Sequence, residues 1–226
     1  FTVGDRGAHL TTREGVVIDL PDTGAVYRCE QDGSDLQVFA TGLRNPQEIA
    51  FDDLGNLFTD DNDTAGADRS RVLYLVDGGD YGWRCAYQHA PGFGPWVQEK
   101  VWEGGIDGVL PTAGFAAQGP AGLACYPGTG FSHDEDGRMF VCDFPGGVLS
   151  FGLEARGAGF KVTDVHRVAW SLWPTDVCFG PDGALWVLDW VAGWQRPEKG
   201  RIHRLFDEGV MQSDLVRQTR ELLRDG

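Results

Sequence analysis

The residues best suited to chemistry lie in two short runs. Arg44-Asn45-Pro46-Gln47-Glu48 sets a guanidinium beside amides, and Asp60-Asp61-Asn62-Asp63-Thr64 supplies oxygen ligands of the kind hard cations prefer. The second run also reads as a solvated acidic turn. Other chemistries fail on spacing. Asp61-x-Asp63-x-x-Gly66 starts like an EF-hand loop, but Ala65 takes the third ligand position and Val72 the place of the bidentate glutamate. No GxSxG, HExxH, GxGxxG or P-loop motif occurs. His9, His89, His133, His166 and His203 are scattered without metal spacing, as surface or turn histidines are. The five cysteines form no CxxC or CxxCH and read as buried free thiols.

The elements that position these runs emerge from self-comparison. Asn45–Asn62, Gly119–Phe144 and Trp173–Trp190 share one template: a proline (46, 120, 174), a glycine (55, 137, 183), and an aspartate six residues after it (61, 143, 189). Proline to aspartate is 15 residues in the first and third copies and 23 in the second, whose extra eight are Tyr126–His133. Phe1-TVGD matches the template's tail, with Asp5 as a fourth aspartate. Each copy reads as a β-hairpin, and further strands follow it at Ala25-VYRC, Leu36-QVFA, Arg71-VLYLV, Gly147-VLSFGL, Phe160-KVTDVHRVAW and Gly200-RIHRLF. Such units describe β-propeller blades. The fold class expected is all-β, about four blades of an incomplete ring over residues 1–209. A C-terminal helix over 210–226 is expected to be capped by Ser213 and ended by Gly226. The segment Arg84–Gln118, rich in glycine and proline (Pro91 and Gly92 included), reads as a long loop or a degenerate blade.

A hairpin returns to its starting end, so Arg44, Asn45, Gln47, Asp61 and Asp176 are expected at one face, towards a common concavity. A strand-end aspartate often only accepts backbone N–H bonds, but Arg44-Asn45 has no counterpart in the other copies. Eight tryptophans could stack on sugar rings; core packing between blades is the simpler reading of Trp186 and Trp190. The first and last blades are expected to expose apolar flanks.

The net charge of −15 argues against nucleic acid or an anionic membrane surface as partner. No apolar run reaches the roughly 18 residues of a membrane span, so no membrane insertion by this segment is expected. The chain opens at Phe1 inside a strand, which points to a natural start upstream, and the single terminal helix points to further helices downstream.

At Phe1-TVGDRG, Gly42-LRNPQEIAFDDLGNLF and Val76-DGGDYGW the chain resembles the soluble glucose/sorbosone dehydrogenase family of six-bladed propellers, which use pyrroloquinoline quinone and calcium. GPAGLACYPGTGF, TDVCFGPDGALWVLDWVAGW and KGRIHRL look closer to a bacterial branch of membrane-bound dehydrogenases, in which HEAT-like repeats and a cytochrome c domain follow. The resemblance implies cofactor contacts at Arg44, Asn45 and Gln47. It implies calcium at the Asp61–Thr64 loop, with Asp63 and Thr64 offering backbone carbonyls. It also implies that Asp5 orients a catalytic histidine lying upstream of residue 1. A sugar or alcohol substrate, a cytochrome c domain or other electron acceptor, and a periplasmic or cell-surface location are further implications. This chain departs from the family pattern in having no lysine near Cys142–Phe144, no arginine pair near Ser171–Thr175, and Arg69-Ser70-Arg71 in place of an acidic pair. Two functions follow as expectations: hydride transfer from a sugar or alcohol to a quinone, or a non-catalytic propeller that binds a glycan or protein.

Overall fold

The computed structural model describes residues 1–64, 68–85, 94–196 and 198–225. His89, Pro91, Gly92, Gly226 and the Ala65–Gly66 step lie outside the described residues. The chain divides into two compact units, Phe1–Ile49 with Leu57–Gln118, and Ala50–Asn56 with Gly119–Gly226.

The first unit contains β1 (Thr2–Val3), β2 (Ala8–Thr11), β3 (Val17–Leu20), β4 (Gly24–Arg28), β5 (Gln37–Leu43), all but the last two residues of β6 (Pro46–Phe51), β7 (Leu57–Asp61), β8 (Arg71–Leu75) and β9 (Gly79–Asp80). They form a sheet of order β1-β4-β5-β9, a three-stranded sheet β6-β7-β8 and the hairpin β2-β3. The sequence pattern did not disclose β2-β3, because neither strand has a fully buried residue to set its phase. Leu43, Leu57, Leu73, Leu75 and Tyr81 form the core between the larger sheets. Gly42, at φ 80°, must be glycine, since a Cβ there would run into the backbone of Tyr81 and Gly82.

The Arg84–Gln118 segment is mostly loop over its described residues, 84–85 and 94–118. It carries α1 (Pro95–Gln98), a 3-10 turn at Val101–Glu103, and one isolated bridge from Gly114 to Val72. Its anchor is aromatic: Trp83, Trp96, Val101 and Trp102 are buried together. Fully burying one such side chain contributes roughly 1.5–3 kcal/mol, enough to hold a loop without sheet pairing.

The second unit contains β10 (Pro120–Cys125), β11 (Met139–Asp143), β12 (Gly146–Arg156) and β13 (Gly159–Leu172) in one antiparallel sheet. A second sheet holds β14 (Pro174–Phe179), β15 (Leu185–Asp189) and β16 (Arg201–Leu205). Two helices follow, α2 (Glu208–Met211) and α3 (Asp214–Asp225), and the Ser213 hydroxyl accepts from the Val216 N–H at the start of α3. The inserted Tyr126–His133 segment is pinned by the Tyr126 hydroxyl, which accepts from the N–H groups of Gly130 (3.0 Å) and Phe131 (2.7 Å) and donates to the Phe131 carbonyl. Rings of Tyr126, Phe131, Phe140 and Phe179 fill the space beneath it.

Two sequence expectations are corrected here. Trp186 is not core: Leu185 and Val187 are buried, whereas Trp186 and Leu188, on the opposite side of β15, stand 36% and 42% exposed. Strand alternation leaves that side of the sheet open, beside Ile202 of β16. The cysteines carry no disulfide, but only Cys142 is buried, while Cys29 and Cys178 are exposed. His9 pairs with Asp19 across the exposed β2–β3 hairpin and His133 with Asp136 on an exposed turn, whereas His166 bonds Glu135 at 2.9 Å, beside the buried Arg138.

Candidate functional site

The repeated aspartate has a local geometric task. In all three copies one of its carboxylate oxygens accepts the N–H of the residue before the proline: Asn45 to Asp61 (2.8 Å), Gly119 to Asp143 (3.0 Å) and Trp173 to Asp189 (3.0 Å). The residue after the aspartate donates back to that same residue's carbonyl, as in Phe144 to Gly119 and Trp190 to Trp173, both 2.8 Å. The proline cannot donate, so the chain entering the hairpin needs this side-chain acceptor to satisfy its last free N–H.

The Asp61 copy is built further. It also accepts the Arg44 N–H at 3.0 Å, and its Oδ2 takes Arg71 Nη2 at 2.9 Å. Arg71 and Asp61 face one another in the β7–β8 register and are 2% and 1% exposed. The guanidinium also donates to the carbonyls of Tyr81 (2.8 Å) and Gly42 (3.3 Å) and lies 4.7 Å from the Trp96 ring. Burial pushes the Asp61 carboxyl up; Arg71 and the two N–H groups oppose that push.

This clamp fixes the backbone of Arg44 and Asn45 and leaves their side chains available. The Arg44 guanidinium and the Asn45 and Gln47 amides have no partner among the described residues; Arg44 and Asn45 are half-buried and Gln47 exposed. Asp5 joins the same cluster, donating its N–H to the Arg44 carbonyl (2.7 Å) while its Oδ2 accepts the Trp83 indole N–H (3.1 Å). Asp5, Arg44, Asn45 and Asp61 are thus brought together, with Gln47 one residue into β6.

Asp63 and Thr64 begin the next loop. The Asp63 N–H reaches Ser70 Oγ (3.2 Å), and both the N–H and hydroxyl of Thr64 donate to Asp68 Oδ1 at 2.7 Å. Asp68, absent from the sequence-derived set, closes this turn and takes the Trp96 indole N–H on its other oxygen (2.7 Å). Its spacing of four residues after Thr64 is the signal that could have found it. Arg71 was legible only as a departure from a family pattern.

The donor set fits a polycarboxylated quinone through one guanidinium and two amides. The fit to calcium is narrower. Asp61 is committed to the clamp, and no group of three His, Cys, Asp or Glu side chains among the described residues could hold a metal. From that loop, the backbone carbonyls of Asp63 and Thr64 are available as oxygen ligands.

Elsewhere, carboxylates make a pH-sensitive set. Burial alone would raise Asp189, but the His203 bond (3.1 Å) and the N–H groups of Trp173 and Val191 outweigh it and hold the group below the usual carboxyl range. Burial likewise works against ionised Asp80 and Asp182, and Arg84 and Arg204 respectively prevail, so both are lowered. A lowered folded pKa stabilises above the unfolded value near ~3.9, and that stability disappears as pH falls through the folded value. These pairs are partly screened by solvent, so each contributes about 1 kcal/mol or less. Urea midpoints should hold from neutrality to about pH 5 and fall below about pH 4, and Asp189→Asn should flatten that acid limb. An acid limb unchanged in the variant would refute Asp189's part in it.

The family model for glucose/sorbosone dehydrogenases matches residues 1–193. Among solved structures, an oxidoreductase described as a glucose dehydrogenase from Thermus thermophilus is 26% identical, covering 75% of this chain and 47% of its own, at TM-score 0.56. The PQQ-bound aldose sugar dehydrogenase of Streptomyces coelicolor is 19% identical, covering 91% and 57%, at TM-score 0.56. The soluble aldose sugar dehydrogenase of Escherichia coli, in its apo form, is 16% identical, covering 89% and 58%, at TM-score 0.56. The chain thus spans about half the length of these structures. No curated protein matches the sequence. No helix among the described residues is long and apolar enough to cross a membrane. The fold is all-β, an incomplete β-propeller of about four blades whose sheets stay open. With the family pattern running through 193 residues and the Arg44–Asp61 hairpin built as described, the chain belongs to the glucose/sorbosone dehydrogenase family.

Proposed function

We propose that this chain carries the cofactor-holding hairpin of an oxidoreductase that, in the intact protein, oxidises a hydroxyl-bearing carbon of a sugar or alcohol. One observation carries the reading: the Arg44 guanidinium and the Asn45 and Gln47 amides have no partner among the described residues, on a backbone that Asp61 and Arg71 hold in place. When bound, pyrroloquinoline quinone supplies the two-electron acceptor for hydride. Arg44 would pair an anionic oxygen of the ligand, and Asn45 and Gln47 would donate N–H bonds beside it. The backbone carbonyls of Asp63 and Thr64 would hold calcium beside the quinone. Asp5, held by Trp83, orients a histidine upstream of Phe1 that removes the hydroxyl proton. A cytochrome c domain or another acceptor would take up the electrons, and a periplasmic or cell-surface setting would suit that traffic.

Titrating the chain with pyrroloquinoline quinone in millimolar calcium should give saturable 1:1 binding by fluorescence quenching. Dye-linked aldose oxidation should stay at the level of a cofactor-only control, because a positioned base contributes about 10²–10⁴-fold and lies outside the chain. Absence of saturable binding would refute the cofactor reading, and oxidation above the control would refute the position of the base.

A second reading, a non-catalytic module for a glycan or protein, has its own support. The cationic positions of the family near Cys142–Phe144 and Ser171–Thr175 carry no lysine or arginine here.

A further inference from the structure

Helix α3 carries an apolar stripe that the second unit only begins to cover. Leu215, Val216, Thr219, Leu222 and Leu223 recur at helical spacing, yet of these Val216 alone is buried, and Leu223 stands 60% exposed. The helix is anchored at its start. The Asp207 N–H donates to the Gly130 carbonyl (2.9 Å), the Asp207 carboxylate caps α2, and the Ser213 N–H returns to the Val210 carbonyl (2.9 Å). Between α3 and Trp186, on the open side of β15, lies a cleft of about 910 Å³ whose apolar walls include Trp186, Met211, Val216 and Leu223. That volume falls within the roughly 300–1,000 Å³ of small-molecule sites.

The lining is positive in a chain that is strongly negative. Arg217, Arg220 and Arg224 stand against Asp182 and Glu221, whereas the whole chain carries −15. Both carboxylates are committed. Asp182 pairs with Arg204 at 2.7 Å and also accepts the Trp186 indole N–H (3.4 Å), which holds that ring in place. Glu221 pairs with Arg217 at 3.2 Å. Arg220 has no partner among the described residues. One guanidinium thus stands uncommitted beside an apolar wall, which suits one anionic head on one alkyl chain. A second copy of the chain suits the cleft poorly. A two-fold interface would bring two arginine-lined clefts together, between chains that each carry −15.

We propose that this cleft binds an alkyl carboxylate, with its chain between Trp186 and Leu223 and its head paired by Arg220. The chain covers apolar surface on Met211 and Leu223 that water otherwise wets, and the planar carboxylate matches the guanidinium fork. The cofactor reading rests on Arg44, Asn45 and Gln47, none of which lines this cleft, so the two readings can fail separately.

The test is isothermal titration calorimetry of the whole 226-residue chain with sodium decanoate, below its micelle-forming concentration and without quinone or calcium. One saturable site should be seen, with Kd below about 1 mM. Octanoate, shorter by two methylenes, should bind at least about fourfold more weakly. Decyltrimethylammonium should bind at least about tenfold more weakly, because its head meets the arginines with the wrong sign. Arg220→Ala should weaken decanoate about tenfold and leave decanol, which carries no charge, within about twofold of the parent. Leu222→Ala, on the same helix but outside the cleft lining, should bind like the parent. Both replaced side chains are exposed, so circular dichroism should show the parent fold. Non-saturable uptake, or equal decanoate affinity in Arg220→Ala and the parent, would overturn the proposal. So would a dimer in sedimentation velocity that binds no decanoate, because a second copy would then fill the cleft.

Discussion

Replacing Asp61 with alanine should cost the chain about 3–5 kcal/mol, the range for breaking a buried ion pair from one side. The substitution leaves the Arg71 guanidinium charged and 2% exposed, with two carbonyls and the Trp96 ring against it and the half-buried Asp80 as its remaining nearby counter-charge among the described residues. It also strands the N–H groups of Arg44 and Asn45 in a half-buried position before a proline. Asp189→Ala should cost less, because its side-chain partner His203 is one-third exposed and water can replace the lost bond. Urea unfolding followed by tryptophan fluorescence measures both. The double replacement Asp61→Leu with Arg71→Met should recover much of the loss, since it removes both buried charges together. A loss below about 1 kcal/mol in Asp61→Ala would show that the clamp is not what holds this hairpin.

Arg44→Ala should behave in the opposite way. Its side chain bonds nothing in the described protein, so stability should stay within about 0.5 kcal/mol of the parent. Affinity for pyrroloquinoline quinone should fall about ten- to a hundredfold, as expected for removal of a charge-assisted hydrogen bond. Arg44→Lys should land between the two, because an ammonium keeps the charge and loses the planar fork. Fluorescence titration in millimolar calcium reads all three affinities. Equal affinity in Arg44→Ala and the parent would remove Arg44 from the cofactor site.

These two residues mark where reading the sequence succeeds and where it stops. The proline-to-aspartate interval was legible because its cause is local: the aspartate closes on an N–H within the same hairpin, so the spacing repeats wherever the hairpin does. Alternating apolar residues disclosed most of the strands for the same reason, since a pleat of period two is set by neighbours in the chain. Arg44 and Asn45 stood out because the repeat does not require them.

The rest depended on partners far apart in sequence. Arg71 reads as a surface charge until the β7–β8 register places it opposite Asp61. Trp83, Trp96 and Trp102 come from a stretch without periodicity, and their burial follows only from how that loop folds back. The phase of β15 was plain, yet which of its sides is covered was not, and Trp186 fell on the open one. Phe144 and Trp194 stand fifty residues apart in sequence and meet only because two hairpins are capped side by side. Local hydrogen bonds and strand pleating are dictated by adjacent residues; burial and ring contacts are decided by chain closure over long separations, which only the folded structure specifies.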